Sequence, residues 1–304
     1  MKHLFPFVIA ALLLSACGSS DSSVPDDLDT KVDSLMNAAQ PDHSELSDEV
    51  VDEIMKTIPS PLEFTALIRA TGANYSEGYL NNTDQRDNYT TSFQKSLNLG
   101  VYGADLGYIN LYEKSGSAIA YLSAVRDLAD DLKVGQFFDF NTMKRLADNK
   151  RNLDSVIYIS TNGFERMDTY LKEKQRGNVS ILILYGGWLE AMHIACNVAA
   201  STDPMDPRLR ERIGEQKIVL DDLLLIMSVY RNQPGYADVI ADLEALREAY
   251  AGVNISYTYE APEVTEVDGR LVVEDNRTST IEISDEALLT IRAKIAELRN
   301  KVIA

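Results

Sequence analysis

Histidine and cysteine are scarce in this chain: three and two in 304 residues. His3 and His43 lie near the N-terminus, which leaves His193 as the lone imidazole of the main body. That excludes a Cys/His zinc site, whose ligands come as spaced pairs. It also restricts any His-dependent nucleophilic triad to His193. Neither a Gly-x-Ser-x-Gly elbow nor a phosphate-binding loop ending Gly-Lys-Ser/Thr occurs. Positive charge is short as well, with 29 bases against 47 acids and a net charge of −18. Without a basic patch to neutralise phosphates, nucleic acid is excluded as a partner. Nothing in the sequence implies a cofactor.

The remaining composition, 45% hydrophobic and 25% charged, is that of a soluble globular protein with a substantial core. The first seventeen residues differ from the rest. A short polar start (Lys2, His3) precedes an apolar run from Leu4 to Leu14, too short to span a bilayer and laid out as a secretory signal. Its end, Leu14-Ser15-Ala16-Cys17, resembles the lipobox of bacterial lipoproteins. The resemblance implies cleavage before Cys17 and acylation of its sulfur and new N-terminus. The alternative is an ordinary signal with a chance cysteine. Gly18 rather than aspartate follows Cys17; by resemblance to the sorting rule of that family, the outer membrane of the cell envelope is favoured, with its periplasmic or surface face left open. Cleavage leaves 288 residues and strands Cys196 among Ile194, Ala195 and Val198, a setting for a buried, inert thiol.

The acidity is concentrated. Residues 21–53 hold eleven acids against Lys31 alone, whereas residues 54–304 hold 36 acids against 27 bases. An acidic, Ser-rich stretch behind a lipid anchor stays solvated and is repelled by anionic headgroups. The expected organisation is a signal peptide over 1–16, an acidic tether over 17–45 (with a weak helical pattern at 28–39), and one domain over 46–304.

Within the domain, helix punctuation is legible. Ser47 caps a helix ending near Pro59, and Ser60-Pro61-Leu62-Glu63 is a capping box opening a helix that Gly72 closes. Helical stretches follow at 84–114, 117–134, 152–176, 179–201, 207–231 and 236–250. The very short links at 115–116, 177–178 and 232–235 predict three antiparallel hairpins. Alternation in Ile255–Tyr259 and the Asp268-Gly269 turn signal predict a β-hairpin insert at about 253–283, with a third strand at Thr280–Ile283. Ser284 caps a last helix with Leu288, Ile291, Ile295, Leu298 and Val302 on one stripe. The fold class is therefore all-α: a bundle of antiparallel helical hairpins with a small C-terminal β-hairpin insert.

Two constellations carry chemical interest. Between Val179 and Ser201 the one charged side chain is Glu190. A membrane span is one reading, but an acid at its centre costs on the order of 3 kcal/mol; the other is the fully surrounded central helix of the bundle. Glu190, His193 and Asn197 share one face there. Glu-x-x-His is half of a di-metal bundle motif, and the second half is absent, so a mononuclear metal or haem ligand, a ligand pocket with Trp188, and a buried structural pair all remain open. The second constellation is Gly100, Gly103 and Gly107 on one helix face, accompanied by Tyr102, Asp105 and Tyr108. Glycines at that spacing admit either another backbone, with Gly186-Gly187 as counterpart, or a ligand.

The segment SLNLGVYGADLGYINLYEKS (96–115) resembles a group of mainly helical envelope lipoproteins of Gram-negative bacteria to which no activity is assigned. The resemblance implies an all-α envelope domain and nothing about catalysis. Three functions follow as expectations: a membrane-anchored binding or scaffold module for an envelope partner or small ligand, a metal- or haem-binding protein using Glu190 and His193, and a structural spacer.

Overall fold

The computed structural model describes residues 46–58, 61–147, 153–258, 263–267, 270–274 and 278–304. The lipobox, the tether, the Ser60 cap and the Asp268-Gly269 turn lie outside them. All the described residues belong to one body, His43–Ala304.

Ten α-helices are described: α1 Asp48–Thr57, α2 Pro61–Ala70, α3 Ser92–Leu111, α4 Ser115–Asp131, α5 Phe140–Ala147, α6 Leu153–Glu173, α7 Gly177–Ser201, α8 Pro207–Val229, α9 Tyr236–Ala249 and α10 Asp285–Ile303. Side-chain caps begin them where expected. Ser47 accepts from the Val50 amide, Asp206 from Arg208 and Ser284 from Ala287. The three hairpins form as α3–α4, α6–α7 and α8–α9.

Their corners are shifted from the glycines that suggested them. The α3–α4 corner is 112–114 and Gly116 sits inside α4; the α6–α7 corner is 174–176 and Gly177 is the first residue of α7. Glu113, Lys133 and Gln175 take the left-handed conformation instead, at φ 56°, 62° and 57°. Each closes a Schellman motif, as in Lys114 N–H to Ile109 C=O with Glu113 N–H to Asn110 C=O. The expected 84–114 helix is also divided. Residues 83–88 form a 3-10 turn, and Thr91 with Gln94 builds a capping box that starts α3 at Ser92. Helix α5 had no counterpart in the sequence reading.

α3 and α7 form the centre. α7 also touches α2, α6, α8 and α10, which surround it. It is long and apolar enough to cross a membrane, yet 89% of its most apolar window is buried inside the body.

The insert is a two-stranded ribbon in two segments. β1 (Val253–Thr258) pairs antiparallel with β4 (Thr278–Ile283), and β2 (Glu263–Val267) pairs with β3 (Arg270–Glu274) in a register that sets Val267 opposite Arg270. The expected third strand is thus the partner of the first. The ribbon's root packs on α8: a Cβ at Gly214 would lie 2.6 Å from Ile281.

Candidate functional site

Glycine decides how α3 meets α7. A Cβ added to Gly100 would fall 2.0 Å from the Ile183 carbonyl oxygen, and one on Gly186 would fall 2.0 Å from that of Leu97. Backbone therefore lies against backbone at the crossing, which no side chain permits. Gly103 and Gly107 continue the same face beyond the crossing. At 3.6 residues per turn Asp105 points nearly the opposite way, so the two faces of α3 serve different ends.

On the Asp105 face an ionic cluster is sealed inside the protein. Glu190 of α7 is fully buried and accepts from Arg299 Nε at 2.7 Å and Nη2 at 2.8 Å. The fork-on-carboxylate geometry supplies the pairing a buried charge requires. Arg299 Nη2 also donates to the Tyr79 carbonyl at 3.2 Å. Burial opposes the guanidinium charge, but the Glu190 bonds outweigh it and hold Arg299 above its ordinary value. Asp105, also fully buried, accepts from the Asn81 amide at 3.1 Å through Oδ2, while Oδ1 has no donor. Burial first, then the charge and hydrogen bond of Glu190, push its carboxyl well above the usual range. A protonated Asp105 resolves the orphaned acceptor, because it becomes a donor beside the Glu190 carboxylate.

Asn81 Nδ2 donates to the Tyr89 hydroxyl at 3.0 Å, Tyr102 donates to the Asn82 carbonyl at 2.8 Å, and Tyr108 accepts from the Ser76 amide at 3.1 Å. The 76–89 segment is thereby fastened over this end of the helices. Tyr102, Asp105, Tyr108 and Glu190 are a structural lattice with no opening to solvent.

The other candidates separate from it. Trp188 Nε1 donates to Gln216 at 2.9 Å in the core. Asn197 donates to the His193 carbonyl at 2.8 Å and accepts from Arg292 at 3.0 Å. Burial, reinforced by Arg299 and Arg292, drives the His193 pKa down to about 3, so the ring is neutral across the physiological range. Glu190 pairs with Arg299 and not with His193, which removes the half-motif on which metal ligation rested. No group of three His, Cys, Asp or Glu converges among the described residues. Cys196 is buried, and burial lifts its thiol to about 12, as expected of an inert cysteine.

The glycine face opens onto a cavity of about 420 Å³. Gly100, Gly103, Gly107 and Gly187 form its floor; Ile58, Val125, Phe138, Met143, Phe164, Met167 and Ile183 form apolar walls. Small floor residues leave space that larger walls enclose. Its rim is polar: Lys172 bridges Asp52 of α1 and Asp168 of α6 at 2.7 Å each, and Ser180 donates to Asp168. Asn110, 3% exposed, also lines it, and its Oδ1 has no partner. None of Tyr102, Asp105, Tyr108, Trp188, Glu190, His193 or Asn197 lines this cavity.

The glycines were visible in the sequence as a face open to backbone or ligand, and the face receives the backbone of α7 at one end and the cavity at the other. Arg299 was missed, although it sits four residues after Ile295 on the apolar stripe of α10, where an arginine needs a buried partner. Gln216 and the α5 wall left no such signal. Comparison with protein-family models, with curated proteins and with solved structures returns no match.

Proposed function

We propose that this chain is a lipid-anchored binding protein of the bacterial envelope, favoured for the outer membrane, whose helical body holds one small apolar molecule between α1, α3, α6 and α7. The observation that carries the reading is the cavity. At about 420 Å³ it lies within the range of small-molecule sites, and apolar walls with a few polar groups are their usual chemistry. A spacer would fill that volume with side chains, since an empty space forfeits packing energy. The sealed Asp105–Glu190–Arg299 cluster admits no substrate, which favours binding over catalysis. Cys17 supports the anchor, and the acidic tether supports a body held off the lipid surface.

The test is titration of the full-length protein with N-phenyl-1-naphthylamine, a neutral dye that brightens in apolar surroundings. One saturable site per chain is expected. Gly103→Leu should reduce affinity at least tenfold with helical content unchanged, because its side chain enters the cavity beside Phe164, 3.1 Å from the Cβ position. A titration with no saturable site overturns the reading. Cys17→Ala should move the protein from the membrane to the soluble fraction.

A further inference from the structure

The walls of the cavity are not equally fastened. We propose that α1 is a lid over it, swinging away from α6 to admit and release the ligand and relatching through Asp52 and Thr57; this rests on the binding reading above and adds how the site is reached.

The mouth comes first. Among the described lining residues, Lys56 of α1 and Glu165 of α6 are exposed, and Asp52, Met55, Asp168 and Lys172 beside them are half-buried. The cavity therefore meets solvent between α1 and α6, and the Asp52–Lys172 ion pair spans that gap at 2.7 Å. The two sides of the mouth differ in how they are held. α6 has 21 residues, forms a hairpin with α7 and packs on α3 and α5 as well. α1 has ten residues and packs chiefly on α8. With its C-cap it sinks two side chains into the core, Val51 and Ile58. The polar ties described between α1 and the rest of the body lie at the surface. Lys172 is 25% exposed and Asp52 41%, and Thr57 Oγ1 donates to Asp222 Oδ2 at 2.8 Å in an exposed setting. Ion pairs and hydrogen bonds placed there are weak fastenings. An element with little buried apolar surface opens locally while the rest of a fold stays intact. Opening also strands no charge, because Lys172 keeps Asp168 at 2.7 Å when Asp52 leaves.

The test has two arms on the full-length protein, both with N-phenyl-1-naphthylamine as ligand. In the first, hydrogen exchange of the unsubstituted chain is followed by mass spectrometry with and without dye. Amides of α1 should exchange at least tenfold faster than those of α7, and bound dye should slow them severalfold. Exchange in α1 as slow as in α7, or unaffected by dye, overturns the lid yet leaves the cavity reading standing. In the second, stopped-flow fluorescence compares the unsubstituted chain with Thr57→Val, a surface substitution that removes the donor to Asp222 without touching the cavity lining. Weakening a latch eases the way in and the way out alike. Association and dissociation rates should both rise about fivefold, as one hydrogen bond predicts, with Kd within twofold of the parent. Unchanged rates, or a loss of affinity at an unchanged association rate, make α1 a fixed wall and overturn the lid. Failure of the dye to bind the unsubstituted chain overturns the cavity reading itself and leaves a lid nothing to cover. The exchange arm needs no variant to fold.

Discussion

The two faces of α3 solve opposite problems with the same helix. One face buries two carboxyl groups and an arginine and leaves no space; the other removes side chains and leaves about 420 Å³. On the charged face, segment 76–89 and the end of α10 close over the cluster. On the glycine face the enclosing elements are α1, α5 and α6, and α1 is held there by an ion pair to Lys172 and by the Thr57–Asp222 hydrogen bond at 2.8 Å. Chemical conspicuousness in the sequence therefore pointed to the sealed face. Tyr102, Asp105 and Glu190 are conspicuous because burying them demands partners, while glycine and methionine line a cavity without any reactive group.

Substitutions can break this contrast, and the largest effect belongs to the charged face. Arg299→Ala leaves Glu190 buried without its partner, so a loss of about 3–5 kcal/mol is expected. Thermal unfolding should show a midpoint lower by roughly 10 °C. Replacing both Glu190 and Arg299 by methionine should recover most of that loss, since it removes the uncompensated charge.

Next comes the crossing. Gly186→Ala drives a methyl into the Leu97 carbonyl and should cost about 3 kcal/mol or more, because backbone must move. Gly103→Ala meets only the edge of a phenyl ring at 3.1 Å and should cost under about 1 kcal/mol. Urea midpoints of the two variants give the ratio directly; equal losses would mean that the glycine face does not change character along its length.

Titration is expected to act in opposite directions on the two buried groups. Asp105 keeps in the fold a proton that the unfolded chain releases near 3.8. Its stabilising share is full below that pH and declines as pH rises toward the folded value. Asp105→Asn retains a donor without titrating, so it should match the parent at pH 4 and exceed it at pH 8 in thermal midpoint. His193 is the reverse case, with a folded value of about 3 against 6.5 unfolded. Its share is present above 6.5 and is lost as pH falls toward 3. His193→Gln should therefore lose less stability than the parent between pH 6.5 and 4, and should differ little at pH 7–8. Smallest of all, Asn110→Leu should raise the midpoint of the ligand-free protein by a few degrees at most, because it deletes an unpaired acceptor.

Much of the architecture was legible because it is local. Caps at Ser47, Asp206 and Ser284, the short corners and the uniformly apolar α7 all follow from adjacent residues. The corners themselves shifted by two or three residues where Glu113 and Gln175, not glycine, adopt the left-handed conformation, since a Schellman motif sustained by two hydrogen bonds overrides residue preference. The site was less legible because it is not local. Arg299 reaches Glu190 across 109 residues of chain, and the cavity joins six helices whose spacing depends on the α3–α7 crossing. A pattern along the chain records that glycine faces something, not what stands opposite.

The most direct test of the central claim is native mass spectrometry of the protein gently extracted from its own envelope. The account expects a one-to-one adduct of a small apolar molecule, retained in the unsubstituted chain and missing in Gly103→Leu. A bare mass in both proteins, with no adduct appearing when N-phenyl-1-naphthylamine is added, would contradict it.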